Sequence, residues 1–177
     1  MAAFELDSFV AQLRDAALRD DAPKRVRALM TETFRDHASI RTAMSGFSGE
    51  EEVLYEDDSV SIWYVGFDPA RHVPPHDHQT RAFIGVYDGS EKNHFYLVGD
   101  GVLEHKTTKR VDPGDVISIG PDAIHSVETA DDRFCYGIHV YLGPLTRIER
   151  SLFDWDSGAA ELFTDEAYDR LLRPSAG

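Results

Sequence analysis

The chain has 177 residues, with 32 acidic against 18 basic side chains and a formal net charge of -14. That length suits one domain with a sizeable core, and a 42% hydrophobic, 11% aromatic composition fits a globular chain rather than a disordered one. A surface this acidic repels phosphate backbones and anionic lipids, which argues against nucleic acid and membrane as partners and for a monomer.

The organisation reads as a single domain, 1–177, in three parts. In residues 1–45 apolar side chains recur at helical spacing, as Phe4, Leu6, Phe9, Val10, Leu13, Ala17 and Leu18 and then Val26, Leu29, Met30 and Phe34. This predicts one to three helices with core-facing stripes, Asp7 and Ser8 as start residues, and Pro23 in the first turn of the next helix. The start, Met1-Ala2-Ala3-Phe4-Glu5-Leu6-Asp7, has neither the basic region nor the apolar stretch of a signal peptide, no apolar run approaches membrane-spanning length, and the single Cys135 excludes an internal disulfide. A cytoplasmic protein is expected.

From 53 to 145 the pattern changes to short β-branched and aromatic runs between turn signals. Strands are predicted over 59–67, 82–87, 93–98, 102–108, 116–119, 124–128 and 134–142. The third and fourth meet across Gly99-Asp100-Gly101, and Asp112-Pro113-Gly114-Asp115 and Gly120-Pro121-Asp122 mark further turns. Many short strands without intervening helices predict an antiparallel barrel or sandwich. The tail, 146–177, reads as irregular and then helical around 166–172.

Within this region His76-Asp77-His78 follows Val73-Pro74-Pro75. In an extended segment alternate side chains share a face, so His76 and His78 converge while Asp77 turns away, and two imidazoles aimed at one point suit a transition metal. His125 follows a turn, a strand and a second turn. His37, His72, His94 and His105 are expected to be surface or structural.

These two segments resemble the two motifs of the cupin superfamily. The first motif matches His76, His78 and Gly89, with Ala82 where a Glu usually stands; the second matches Gly114, Pro121 and His125, with Thr129 in place of the closing Asn. The resemblance implies a mainly β fold, a cupin double-stranded β-helix or jelly-roll barrel with an N-terminal helical segment packed on it, and a metal held by His76, His78 and His125. Three neutral imidazoles without a carboxylate leave the full charge of a divalent ion at the site, which favours an anionic substrate ligand such as a thiolate.

The later strand places Cys135, Gly137, His139 and Tyr141 on one face. His139-Val140-Tyr141 is similar to the Ser-x-His-x-Tyr strand of the thiol dioxygenase branch, cysteine dioxygenase and its mercaptopropionate-acting bacterial relatives, with Gly137 replacing the Ser. That resemblance covers 53–154. It implies Fe(II), dioxygen and a small thiol converted to its sulfinate, with His139 and Tyr141 handling protons. The place of the cysteine that cross-links to the tyrosine in some members is Ala82, so no cross-link forms there, and Cys135 reads as a buried small residue.

A carboxylate-bearing thiol needs an arginine fork. Arg150, before Ser151-Leu152-Phe153-Asp154, resembles the clamp of the mercaptopropionate-type members, a solvated Arg147/Arg150 pair being the alternative; Arg81 is expected to point outward. The run Glu91-Lys92-Asn93-His94-Phe95-Tyr96 and the aspartate-rich tail resemble an uncharacterised bacterial subgroup. A zinc hydrolase or lyase, an oxygenase acting on something other than a thiol, and a non-catalytic ligand-binding cupin stay open.

Overall fold

The computed structural model describes residues 3–99 and 101–175. Asp100, the middle of the predicted hairpin turn, lies outside the described residues, as do Met1 and Ala2. The chain begins with three helices, α1 (Leu6–Ala17), α2 (Ala22–Phe34) and α3 (His37–Ala43). Pro23 sits in the first turn of α2 as expected, and α3 is capped by Asp36, whose side chain accepts from the Ser39 backbone N–H.

Nine strands follow: β1 (Glu51–Glu56), β2 (Ser61–Phe67), β3 (Arg71–His76), β4 (Ala82–Asp88), β5 (Glu91–Gly99), β6 (Val102–Val111), β7 (Val116–Ile119), β8 (Ile124–Thr129) and β9 (Cys135–Tyr141). The tail supplies β10 (Ser151–Phe153), β11 (Ala160–Leu162), α4 (Asp165–Leu171) and β12 (Arg173–Pro174). Strands alternate between two antiparallel sheets, β1-β2-β9-β4-β7 and β11-β10-β3-β8-β5-β6, with β12 on β3. From β2 to β9 the chain crosses repeatedly from one sheet to the other, which is the jelly-roll winding of a double-stranded β-helix.

The amphipathic stripes of the helices cover the outer face of the first sheet. Phe9, Leu13, Val26, Met30, Phe34 and Ile40 form one buried cluster with Ile62, Tyr64, Phe83, Ile138 and Val140. Each such side chain contributes about 1.5–3 kcal/mol on burial. α2 comes so close that the Phe34 ring occupies the space a Cβ on Gly85 would need, 2.5 Å from Cζ. The inner faces carry a separate cluster, Trp63, Val65, Ala82, Ile84, Ile119, Tyr141 and Leu145.

Two features correct the sequence reading. The tail from 146 is more ordered than predicted: β10 adds to the edge of β3, placing Leu152 opposite His76, and pairs with β11. And β3 ends at His76, so His78 reaches the site from the turn beyond the strand rather than by alternation within it. Between Val73, opposite Val127, and His76, opposite His125, β3 holds one residue more than β8. This bulge, built on Pro74-Pro75, shifts the alternation so that His76 and Val73 both face the interior.

Candidate metal centre

His76 closes β3, His78 follows it, and His125 opens β8 directly opposite His76. One ring nitrogen from each lies within 4.8 Å of the others, and all three side chains are buried. The His76 and His125 ring centroids are 4.4 Å apart, and His125 Nε2 is 3.4 Å from His78 Nε2. Two nitrogens bound to one ion at about 2.1 Å lie roughly 3–3.5 Å apart.

Hydrogen bonding fixes which nitrogens of His76 and His125 face inward. Nδ1 of His76 is 2.9 Å from the Pro74 carbonyl, which can only accept, so Nδ1 carries the proton and Nε2 a lone pair. Nδ1 of His125 is 2.9 Å from Asn93 Oδ1. Asn93 Nδ2 donates to Glu91 Oε1 at 2.7 Å, so its oxygen is the acceptor for His125, and His125 Nε2 is likewise bare. Burial holds His76 down to about 4 and pushes His78 and His125 well below the ordinary imidazole range, so the face is neutral near pH 7. Inward lone pairs without protons are what a divalent ion satisfies.

Asn93 and Glu91 were not singled out from the sequence. Asn93 is fully buried on β5, and Phe95, two residues on, stacks on His125 at 5.8 Å. Burial raises Glu91 to about 7, against the opposing hydrogen bonds from Asn93 and Cys135. The Cys135 thiol lies 3.9 Å from Glu91 and is itself pushed up by burial, in keeping with an inert buried residue. An i, i+2 Glu-x-Asn on a strand puts both side chains on one face; that signal was available but says nothing of which histidine it serves.

A cavity of about 80 Å³ lies against the three imidazoles, lined also by Trp63, Val73, Val127, His139, Tyr141, Arg150 and Phe163. Trp63 Nε1, His78 Nδ1 and His139 Nε2 are buried without a hydrogen-bond partner, and all three side chains line this cavity. Such a concentration of unsatisfied polar atoms marks a place where a polar ligand or water belongs.

His139 Nδ1 lies 3.3 Å from the Tyr141 hydroxyl, and the Tyr141 ring is 5.0 Å from His78. Burial lowers His139 to about 3 and raises Tyr141 above its usual range, so near neutrality the imidazole is neutral and the phenol protonated. An orphaned buried N–H costs more than an orphaned acceptor, which favours the tautomer with the proton on Nδ1. Nδ1 then donates to the Tyr141 oxygen and leaves the phenolic proton free for the cavity.

Gly137 leaves no hydroxyl beside His139. A Cβ there would stand 2.6 Å from the Gly85 carbonyl on the neighbouring strand, so the close approach of β9 to β4 requires glycine. Ala82 is fully buried between Tyr141 and Ile119 and provides no carboxylate to the histidine set. Arg81 is exposed and reaches Ser118, outside the cavity, as expected.

Arg150 faces the cavity. Its guanidinium carbon sits 3.6 Å from the Phe163 ring centroid, and no carboxylate of the described residues approaches within salt-bridge distance. Arg147 instead points away, to Asp58 at 2.8 Å. Asp77 anchors the turn that carries Arg150: its side chain accepts from the Ser151 N–H at 3.0 Å, and its own N–H donates to the Ser151 carbonyl at 3.1 Å.

No protein-family model and no curated protein matches the chain. Among solved structures it is similar to the DMSP lyase DddQ from Ruegeria pomeroyi DSS-3, at 19% identity and TM-score 0.47 over 58% of this chain and 50% of that one. It is also similar to an uncharacterized double-stranded β-helix protein from Klebsiella pneumoniae, at 16% and 0.46 over 60% and 81%, and to a cupin superfamily protein from Desulfitobacterium hafniense DCB-2, at 14% and 0.45 over 61% and 87%. The chain spans half the length of the lyase. These likenesses accompany the jelly-roll winding described above and carry nothing about ligand or reaction.

Proposed function

We propose that the protein is an iron-dependent dioxygenase that converts a small, carboxylate-bearing thiol to its sulfinate. The observation that carries the reading is a neutral three-histidine face sharing its cavity with an arginine that no carboxylate of the described residues reaches at salt-bridge distance, Glu51 and Asp77 acting on it only from farther off. His76, His78 and His125 would hold Fe(II), which when bound supplies the reactivity of dioxygen toward sulfur.

The chain's own residues do the rest. With no carboxylate among the three ligands, the site is short of negative charge, and a thiolate supplies it. Arg150, stiffened against Phe163 and fixed in register by Asp77, receives the substrate carboxylate by its planar fork. Tyr141, held by His139, presents a proton to the reacting end of the substrate. The apolar wall of Trp63, Val73, Val127 and Phe163 limits water around the histidines.

The test is oxygen uptake by the iron-loaded protein across a panel of small thiols, with metal content measured on the same sample. Uptake with cysteine or mercaptopropionate, exceeding that with carboxylate-free thiols, is expected. Zinc without iron, and no uptake with any thiol, would overturn the reading in favour of a zinc hydrolase or lyase.

A further inference from the structure

The outer face of the same sheet carries a second set of ligand-type side chains. Alternation on β8 turns His125 and Val127 inward and Ser126 and Glu128 outward, and on β5 it turns Asn93 and Phe95 inward and His94 outward. The Pro74-Pro75 bulge gives His72 the opposite direction to His76 although the two are four residues apart. His72, His94 and Glu128 therefore meet on three adjacent strands, outside the barrel.

One ligand atom from each lies within 4.8 Å of the others. His94 Nε2 is 3.2 Å and His72 Nδ1 3.8 Å from the two oxygens of the Glu128 carboxylate. The far nitrogen of each ring is held by a hydroxyl: His72 Nε2 by Ser126 Oγ at 2.8 Å, and His94 Nδ1 by Thr108 Oγ1 at 2.8 Å. Ser126 is also bonded to the Tyr96 hydroxyl at 2.9 Å, so the donor and acceptor roles along this relay can invert. The near nitrogens both face one carboxylate, each ring oriented from behind as ligand histidines commonly are; His94 Nε2 donates its proton to Glu128 at 3.2 Å, and an ion would displace that proton on binding. The tail closes over the cluster. Trp155 meets His72 edge-on at 4.8 Å, and Ser175 donates to Glu128 at 2.8 Å.

We propose that His72, His94 and Glu128 form a second divalent-metal site of the zinc class, separate from the cavity histidines, that ties β3, β5 and β8 together beneath the C-terminal tail. Two imidazoles and a carboxylate are a known tight donor set for that ion. The set differs from the cavity face in carrying its own negative charge, so it binds a cation without help from a substrate. Among the described residues Lys92, 3.5 Å away and about one-third exposed, competes for the carboxylate and can swing into solvent, while Arg173, whose charge acts on His72, lies over Trp155 and pairs with Asp156. This proposal does not depend on the thiol dioxygenase reading.

The experiment uses tag-free, chelator-stripped protein and Zn(II) alone, with bound metal counted after equilibrium dialysis. Glu128→Gln is expected to bind one ion fewer per chain than the wild type. His125→Gln, which disables the cavity face, is expected to keep an ion that adding Glu128→Gln removes, and Zn(II) should raise its melting temperature only while Glu128 is present. If Glu128→Gln does not fold, His94→Gln takes its place. Unchanged metal content on loss of Glu128 or His94, or a folded His125→Gln protein that binds no zinc, would overturn the proposal.

Discussion

Replacing Glu91 by Gln is expected to stabilise the metal-free protein more than the metal-loaded protein. Glu91 is fully buried, and its carboxyl is raised from 4.5 to about 7. A carboxyl raised on folding holds its proton in the folded state over the window in which the unfolded chain releases it. Its contribution is intact below about pH 4.5, is lost progressively as pH rises through 7, and is then constant. A shift from 4.5 to about 7, at about 1.4 kcal/mol per pH unit, amounts to about 3 kcal/mol. In metal-free protein, Glu91→Gln should therefore gain about 3 kcal/mol relative to wild type between pH 5 and 8. The histidines take up protons across this window only in the unfolded chain, and they do so in both proteins and cancel in the difference. With a divalent ion on His125 part of that gain is lost, because the ionised carboxylate acts through Asn93 to make His125 a stronger ligand. Metal affinity at pH 8 should fall roughly 10-fold or more in the variant. Denaturant unfolding at several pH values, with and without metal, measures both. A stability difference that does not vary with pH, or unchanged metal affinity, would refute the proposed link from Glu91 through Asn93 to His125.

Three further outcomes follow from the same geometry. Asn93→Ala, which removes the acceptor for His125 Nδ1, should weaken metal binding about 10–100-fold in a competition titration while the fold persists. Arg150→Ala should raise KM for carboxylate-bearing thiols by about 10–100-fold and leave carboxylate-free thiols nearly unchanged; an equal response of both classes removes Arg150 from the role of clamp. Gly137→Ser should lower stability by about 1–3 kcal/mol, read as a drop in melting temperature, because its Cβ meets the Gly85 carbonyl at 2.6 Å.

The helices, most of the barrel strands and the three histidines were legible because each depends on a local pattern, whereas β1 and β3 were not among the predicted strands. Phe9, Leu13, Val26, Met30 and Phe34 mark helix faces by spacing alone, and 116–119 stands as a strand where it was predicted. What was hidden depends on register between distant segments. Asn93 serves His125 only because β5 pairs with β8, and nothing local to Asn93 records that pairing. The bulge at Pro74-Pro75 reverses the facing of His72 relative to His76, which counting residues along β3 does not reveal. The tail read as irregular because β10 and β11 are three residues each, and β10 exists only by adding to the edge of β3. The replacement of Ser by Gly at 137 was visible, but its cause, the approach of the Gly85 carbonyl, lies on another strand.

The most direct measurement of the central claim is mass spectrometry of the product formed by iron-loaded protein from a carboxylate-bearing thiol under oxygen-18 gas. The account predicts a sulfinate carrying label on both oxygens, and loss of that product in His125→Ala. A protein with iron bound and the thiol left unchanged, or a product whose oxygen comes from water, would contradict it.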